Sequence, residues 1–219
     1  MEKFKKYTNV IVGVVATGAV VVGLVVFVVA KTRSADHAVP LVASVFQNDW
    51  VKGNKDAKVK LVEYSDFQCP ACGAYYPLVK QLTEEFGDQV EFTYRHFPLS
   101  QIHANADLAA RAAESAGRQG KFWEMHDKLF ENQQTWSELK NPQKVFVDYA
   151  GSLGMASEQL EQDIDSKEVK EKVKADYKSG IDSRVNGTPT FFLNGKKLAN
   201  PKNYGEFRNF ITAELEAVK

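Results

Sequence analysis

The first strong pattern along the chain is an uninterrupted apolar run near the N-terminus. Residues 10–30 contain no charged side chain, and eleven of these 21 residues are valine. A helix of this length spans roughly 30 Å, the thickness of the hydrocarbon core of a membrane. Valine is a weak helix former in water, but in lipid the backbone must satisfy its own hydrogen bonds, so we predict a membrane-spanning helix.

A cleaved signal peptide is the alternative for the same run. The apolar core of a signal peptide is usually about 7–15 residues long, which is shorter, although Val28-Val29-Ala30 resembles a cleavage site. Three lysines in residues 1–9 outnumber the two basic residues just after the run, which favours a cytoplasmic N-terminus. With either alternative the rest of the chain is exported, to a place where disulfides persist.

Further along, two runs with strand character flank a helical stretch. We predict a linker over residues 31–48 and a folded domain over residues 49–219, which opens with a lead-in that includes a short strand or hairpin. Residues 59–64 and 90–97 are predicted strands, the second because apolar and polar residues alternate. Residues 70–86 between them are a predicted helix, which begins with a proline and is followed by a glycine.

The remainder of the chain is helical and ends in a hairpin and a last helix. Residues 104–185 repeat apolar side chains at helical spacing. Asn194-Gly195 lies between the strand-like segments Thr190–Leu193 and Lys196–Leu198 and predicts a type I′ hairpin turn. If the helical block is set aside, the order β-α-β-β-α is that of a thioredoxin core. We therefore predict an α/β, thioredoxin-like fold with a helical insertion over about residues 104–185, preceded by a transmembrane helix.

Composition excludes several classes of protein. Hydrophobic residues make up 44% and charged residues 26%, which is close to the globular average and excludes wholesale disorder. Residues 1–33 hold five basic residues and one acidic residue, so the other 186 residues carry 23 basic and 27 acidic groups. A mildly acidic domain without a basic cluster argues against nucleic-acid binding.

The two cysteines form a Cys-x-x-Cys motif, Cys69-Pro70-Ala71-Cys72. A zinc site needs four ligands, and no second close pair of ligands occurs at the usual spacing. A purely structural disulfide would close a very small loop and would stabilise little. Redox chemistry is the remaining interpretation, and it fits a pair between a strand and a helix in an exported protein.

The helix start explains why the two sulfurs would differ. Cys69 is expected at the N-cap, where unpaired backbone N–H groups and the helix dipole favour a thiolate. Cys72 lies one turn further and is expected to be shielded. Cys69 is therefore the predicted nucleophile and Cys72 the residue that resolves the mixed disulfide.

Glu63 and the Thr188-Pro189 pair are the other candidates. Strand alternation puts Glu63 on the face of Val59 and Leu61, where burial should raise its pKa and let it exchange a proton with the resolving sulfur. A solvent-facing or lysine-paired Glu63 is the alternative. From the residues alone, Pro189 is an ordinary trans proline in a turn.

Four segments together resemble the DsbA-like thiol:disulfide oxidoreductases, including their membrane-anchored members. The resemblance covers about three-quarters of the chain, from about Asp49 to the C-terminus. The segments are VKLVEYSDFQCPAC (residues 59–72), YRHFPL (94–99), GKFWEMHDKLF (120–130) and VNGTPTFFLNG (185–195).

The resemblance implies roles for individual residues. It makes Cys69 the nucleophile, Cys72 the buried resolver and Glu63 the family's buried acid. It implies a cis Pro189 against the sulfurs and a Thr188 backbone that pairs with the substrate chain. The best-known strong oxidant of the family has a histidine inside the motif where this chain has Ala71, so we expect a less oxidising pair.

The expected activity is disulfide formation in exported proteins by a domain tethered outside the cytoplasmic membrane. The expected partners are reduced exported polypeptides and, by resemblance, a quinone-linked membrane oxidase that recycles the enzyme. No nucleic acid, metal or organic cofactor is expected, and His96 and His126 are expected to be packed structural residues. The alternatives are a disulfide reductase or isomerase, and a non-catalytic membrane-tethered chaperone or binding module.

Overall fold

A five-stranded sheet forms the centre of the fold. The structure, a computed structural model, describes residues 40–41 and 48–219. The strands of these residues are β1 (Trp50–Gly53), β2 (Val59–Ser65), β3 (Val90–His96), β4 (Thr190–Leu193) and β5 (Lys196–Lys197). The helices are α1 (Pro70–Phe86), α2 (Ala106–Arg118), α3 (Phe122–Glu131), α4 (Gln133–Trp136), α5 (Gln143–Ser152), α6 (Ser157–Asp163), α7 (Lys167–Asp182) and α8 (Tyr204–Ala217).

The strands lie in the order β1-β3-β2-β4-β5. β2 and β3 are parallel, and the other neighbouring pairs in the sheet are antiparallel. Glu63 in the central strand β2 is level with Tyr94 of β3 and Phe191 of β4. The predicted order of elements is confirmed, with β1 as the short strand of the lead-in.

Alternation predicts the position of β3 but not its burial. All seven residues of β3 are buried, including the polar ones. Arg95 can be buried because its guanidinium pairs with the Asp49 carboxylate at 2.8 Å and donates a hydrogen bond to the Tyr64 hydroxyl at 2.8 Å. A strand with alternating polarity is therefore buried on both faces, since an ion pair neutralises the charge of its polar face.

Helix α1 begins where the sequence predicts. Cys69 is extended, with φ −67° and ψ 121°, and Pro70 is the first helical residue. At that position the fixed φ of proline suits a helix and its missing N–H costs nothing. The helix ends at Phe86 and is followed by Gly87, as predicted.

The helical insertion and the hairpin also match the prediction. Helices α2 to α7 lie between β3 and β4, within the predicted block. Asn194 and Gly195 join β4 to β5 with φ values of 48° and 77°. A type I′ turn needs positive φ at both of its central residues, which asparagine and glycine tolerate.

The two faces of the sheet are covered by different helices. Leu61 and Phe191 share a buried cluster with residues of α1 and α8. On the opposite face, the Tyr64 hydroxyl bonds Ser179 of α7 at 2.8 Å. Glu63 is two residues from Leu61 on β2, so its side chain faces α1, the helix that carries both cysteines.

The predicted N-terminal segments lie largely outside the described residues. This holds for the cytoplasmic residues 1–9, the transmembrane helix over 10–30 and most of the linker over 31–48. Within the part of the chain that the structure describes, no helix has both the length and the apolar character that crossing a membrane requires.

Candidate redox-active site

Both cysteines lie at the start of α1 as free thiols. Cys69, the N-cap residue, is 7% exposed, whereas Cys72 is completely buried. Pro70 and Ala71 between them are exposed. One sulfur is therefore at the edge of the protein surface, and the other lies behind it.

Several hydrogen bonds stabilise a thiolate at Cys69. The Cys72 thiol has the largest effect, and the backbone N–H groups of Cys72 and Ala71 add to it. The nearby Thr188 hydroxyl acts in the same direction without a well-formed hydrogen bond. Together they outweigh the desolvation of the sulfur and lower the pKa of Cys69 from 9.0 to about 5. At neutral pH the Cys69 sulfur is an anion, which is the nucleophilic form of cysteine.

The surroundings of Cys72 act in the opposite direction. Burial, the hydrogen bond to Cys69 and the nearby charges of Cys69 and Glu63 raise the pKa of Cys72 well above its usual range. The backbone N–H of Asp66 contacts the Cys72 sulfur at 3.5 Å. Cys72 therefore remains a thiol while Cys69 is a thiolate, in the direction expected from the sequence.

Glu63 is a buried acid behind the resolving sulfur. It is 8% exposed, and burial raises its pKa from 4.5 to about 7, although Ser65 partly opposes this shift. The pKa was expected to rise, because the carboxyl lies on the apolar face of β2. A carboxyl with a pKa near 7 can accept and return a proton at neutral pH.

Ser65 and Tyr94 complete the buried polar group, and sequence reasoning missed both. The Ser65 side chain lowers the pKa values of Glu63, Cys72 and Tyr94, yet neither its hydroxyl nor that of Tyr94 has a well-formed hydrogen bond. Ser65 is two residues from Glu63 on β2, so strand alternation could have indicated it. Tyr94 is next to Glu63 only through the register of β2 and β3.

The segment Thr188–Pro189 lies against Cys69. Its peptide bond is cis, as the resemblance implies and contrary to the expectation from the residues alone. In its protonated form the Cys69 thiol donates to the Thr188 carbonyl, which lies 3.4 Å from the sulfur. Asn200, which sequence reasoning did not identify, donates to the Pro189 carbonyl at 2.9 Å and holds this segment from the other side.

Two side chains hold the backbone that leads into the motif. Gln133 of α4 donates to the carbonyls of Phe67 and Cys69, at 2.7 and 2.9 Å. Asp66 accepts from the backbone N–H of Gln68 at 2.8 Å and from His103 at 2.7 Å. The insertion therefore fixes the position of Cys69 although it supplies neither sulfur.

A second cluster of titratable groups lies between α2 and α7. His96, Glu114 and Asp176 each place one potential metal-ligand atom within 4.8 Å of the others. The Lys172 ammonium, however, lies 2.7 Å from both Asp176 oxygens and 3.8 Å from Glu114. Trp50 also donates to Glu114 at 2.7 Å. These contacts satisfy the acids with protein groups, so we assign the cluster to the packing of the insertion on the sheet.

A family model described as Thioredoxin matches residues 46–213. The chain belongs to the thioredoxin family. This membership confirms the predicted thioredoxin-like α/β fold, and the match begins close to the predicted domain start at residue 49.

Solved structures confirm the resemblance to the DsbA-like members of the thioredoxin family. BdbD from Bacillus subtilis, in its oxidised form, is 28% identical with a TM-score of 0.68, and the match covers 76% of this chain and 92% of BdbD. Wolbachia pipientis alpha-DsbA1 has a TM-score of 0.71 over 82% of this chain and 96% of its own. At 20% identity, the second likeness shows the shared fold alone.

Curated relatives of this thioredoxin-family chain include much longer proteins. The Na(+)/H(+) antiporter NhaA 1 of Mycobacterium sp. (strain KMS) is 37% identical over 159 residues, which are 71% of this chain and 25% of the antiporter. The chain thus spans about a quarter of the length of the curated relatives that it matches.

Proposed function

We propose that the domain over residues 49–219 is a thiol–disulfide oxidoreductase that introduces disulfides into exported polypeptides through Cys69 and Cys72. One observation carries the proposal: at the start of a single helix, the pKa values of the two cysteines are shifted in opposite directions. The pKa of Cys69 is lowered to about 5, whereas that of Cys72 is raised. A stabilised thiolate favours the reduced pair, which makes the disulfide form an oxidant.

The reaction consists of two thiol–disulfide exchanges. A substrate thiolate attacks the Cys69 sulfur of the Cys69–Cys72 disulfide, and Cys72 leaves with the electron pair and takes a proton from Glu63. A second substrate thiolate then attacks the substrate sulfur of the mixed disulfide, and Cys69 leaves as a thiolate. Two substrate thiols have become a disulfide, and the enzyme has gained two electrons.

The substrate chain lies along Thr188 and Pro189 in this proposal. The Thr188 carbonyl is 3.4 Å from the Cys69 sulfur, so a chain bonded to that sulfur passes next to the Thr188 backbone. Backbone pairing at this segment accepts many sequences, because main-chain hydrogen bonds do not depend on side-chain identity.

The direction of net electron flow is tested by the reduction potential. The reduced and oxidised pair is equilibrated with glutathione, and the oxidised fraction is measured by trapping free thiols. We expect a potential clearly above the roughly −270 mV of thioredoxin. A value at or below that level would indicate the alternative reductase and overturn the oxidase assignment.

Catalysis itself is tested on reduced, denatured ribonuclease. The wild-type chain should restore ribonuclease activity, and Cys69→Ser should restore none. Cys72→Ser is the matched control: it keeps the nucleophile and, with oxidised glutathione supplied as the oxidant, should accumulate as a mixed disulfide. Equal recovery with wild type and Cys69→Ser would leave only the alternative of a chaperone or binding module.

We further propose that residues 10–30 tether the domain outside the cytoplasmic membrane. The length of the run, its flanking charges and the similarity to part of proteins named as antiporters support this placement. The full chain should resist alkaline extraction from membranes and be digested by protease added to spheroplasts. Release as a shorter soluble protein would instead indicate a cleaved signal peptide.

Recycling requires a partner that removes two electrons from the reduced pair. By resemblance, we propose a quinone-linked membrane oxidase. In quinone-depleted cells, Cys69 and Cys72 should accumulate as thiols that alkylating reagents label. A pair that stays oxidised without quinone would exclude this partner.

A further inference from the structure

A narrow cavity lies between the sheet, α1 and α3. Its volume is about 30 Å³, and a water molecule needs roughly 10–15 Å³, so it has room for one or two waters. Glu63 and Tyr94 line it from the sheet, Lys80 from α1, and His126 and Asp127 from α3. Lys80 and Asp127 are partly exposed, whereas Glu63 is almost completely buried. The cavity therefore joins the buried acid to charged groups at the surface.

His126 has the geometry of a proton carrier on the wall of this cavity. It is 7% exposed, and its Nδ1 lies 2.9 Å from the Asp127 carboxylate. Since an ionised carboxylate only accepts, Nδ1–H is the donor, and Nε2 of the neutral ring is left as the basic nitrogen. The ring packs edge-on against Tyr94 at 5.0 Å, which fixes its orientation.

Charged groups on several strands and helices surround His126 and affect its pKa. Burial lowers the pKa of His126, Asp127 opposes this shift, and Lys52 and His96 add to it. Burial alone would raise the pKa of Asp127, but His126, Lys52 and Lys80 lower it, so Asp127 remains ionised. Around the ring, in contact with it or on the same cavity wall, the described residues place these titratable and charged groups: Lys52 of β1, Glu63 of β2, Tyr94 and His96 of β3, Tyr76 and Lys80 of α1, and Asp127 of α3 itself.

We infer that this cavity carries protons between Glu63 and the solvent, and that His126, oriented by Asp127, relays them. The inference rests on the proposed function, because it supplies the proton that Glu63 exchanges with Cys72. His126 acts through Glu63 and touches neither the sulfurs nor the substrate, so it is a positioning residue for proton transfer. The sequence identifies His126 only as a packed core residue, which describes its ring contacts but not its place on the cavity wall.

The relay completes the proton balance of reoxidation. In a mixed disulfide with glutathione, Cys72 loses its proton to the Glu63 carboxylate and attacks the Cys69 sulfur. The Cys69–Cys72 bond forms, the bond to glutathione breaks, and the glutathione sulfur takes the electron pair. Neutral Glu63 then passes the proton through cavity water to Nε2 of His126, from which it reaches the solvent.

The test measures how long the mixed disulfide lives. The reduced full-length chain is mixed rapidly with oxidised glutathione, quenched with acid at intervals and analysed by mass spectrometry. His126→Phe keeps an aromatic ring but cannot carry a proton. Positioned proton transfer contributes about 10²–10⁴-fold, and a relay through water contributes less, so we expect closure about 10-fold slower than in wild type.

Two further variants separate a relay from a structural effect. Tyr149→Phe changes a partly buried aromatic residue of α5 that does not line this cavity and should close at the wild-type rate. His126→Ala leaves a ring-sized hole, and added imidazole should restore its rate. The Cys69 thiolate should titrate near pH 5 in every variant, which shows that the site is intact.

The outcomes distinguish this inference from the function on which it rests. Wild-type closure in His126→Phe, or slow closure in His126→Ala that imidazole does not restore, overturns the relay and leaves the oxidoreductase standing. A wild-type chain that forms no mixed disulfide at all overturns both.

Discussion

Cys69 and Cys72 are one helical turn apart, yet the protein lowers the pKa of Cys69 and raises the pKa of Cys72. Cys69 accepts hydrogen bonds from the open end of α1, whereas Cys72 has the Cys69 sulfur and Glu63 as neighbours in a buried setting. The Cys-x-x-Cys spacing is visible in the sequence, and so is the expected thiolate. The dominant contribution of Cys72 itself is not visible there, because it depends on how the two side chains are oriented.

Removing that contribution should change the titration of Cys69. The Cys72 thiol is the largest cause of the lowered pKa, and a hydrogen bond to a charged group is worth about 1.5–3 kcal/mol. Cys72→Ala should therefore raise the midpoint from about 5 by about 1–2 units, measured by the ultraviolet absorbance of the thiolate. Cys72→Ser keeps a hydroxyl donor and should titrate closer to wild type. An unchanged midpoint in Cys72→Ala would contradict this assignment.

Glu63 should make the stability of the reduced protein depend on pH. Its pKa is about 7 in the folded protein and 4.5 when exposed, so the stability it contributes is complete below pH 4.5 and is lost as the pH rises through 7. Glu63→Gln cannot ionise and should be about 3 kcal/mol more stable than wild type at pH 8. At pH 5 the difference in the free energy of unfolding between Glu63→Gln and wild type should be much smaller.

Urea unfolding of the reduced proteins at both pH values measures this difference. Glu84→Gln, on the exposed surface of α1, is the matched control and should show no pH-dependent gain. If Glu63→Gln were no more stable than wild type at pH 8, other groups in the folded protein would already stabilise the ionised Glu63 carboxylate.

At the scale of elements, the start of α1 does most of the chemistry. Cys69 is extended, Pro70 begins the helix, and the exposed Ala71 presents its backbone N–H to the sulfur. A cation at position 71 would act together with this helix end, since both favour a thiolate.

Ala71→His should therefore make the pair more oxidising. A potential change of 30 mV corresponds to about 1.4 kcal/mol, and we expect an increase on the order of 10–30 mV at pH 6, measured against glutathione. The increase should fade at pH 8.5, where imidazole is neutral. Ala74→His, also exposed but one turn further along α1, is the control and should have a smaller effect. A lower potential in Ala71→His than in wild type would contradict the argument.

The elements that the sequence predicts well are those with local causes. Pro70 starts α1, and Asn194-Gly195 builds the hairpin, because each needs only its own backbone preference. The cis bond before Pro189 has no local signal, and only the resemblance to a family implies it. The position of Tyr94 beside Glu63 depends on the register of two strands, which no short segment encodes.

At the scale of the whole molecule, a buried ion pair connects the lead-in to the sheet. Asp49 and Arg95 are 46 positions apart, and their side chains, which are completely buried, meet at 2.8 Å. Arg95 lies in a recognisable strand, but its partner comes from a lead-in without clear periodicity, so the sequence did not predict the pair. Breaking a buried pair leaves one charge without its main compensation.

Asp49→Ala should accordingly reduce the free energy of unfolding by about 3–5 kcal/mol. Urea or thermal unfolding measures the loss. Asp56→Ala, an exposed position in the same lead-in, is the control and should unfold almost like wild type. A loss in Asp49→Ala no larger than in Asp56→Ala would show that the other contacts of Arg95 are sufficient.

Pro40 and Leu41 cover the outer edge of strand β5, and this affects how the domain interacts with other chains. Pro40 bridges Lys196, and the Leu41 N–H donates to the Gly195 carbonyl at 2.8 Å. An open sheet border attracts extended segments from neighbouring molecules, and proline there withholds a donor. Under the proposed function the domain meets unfolded client chains, and this cover shields it on that flank from aggregating with them.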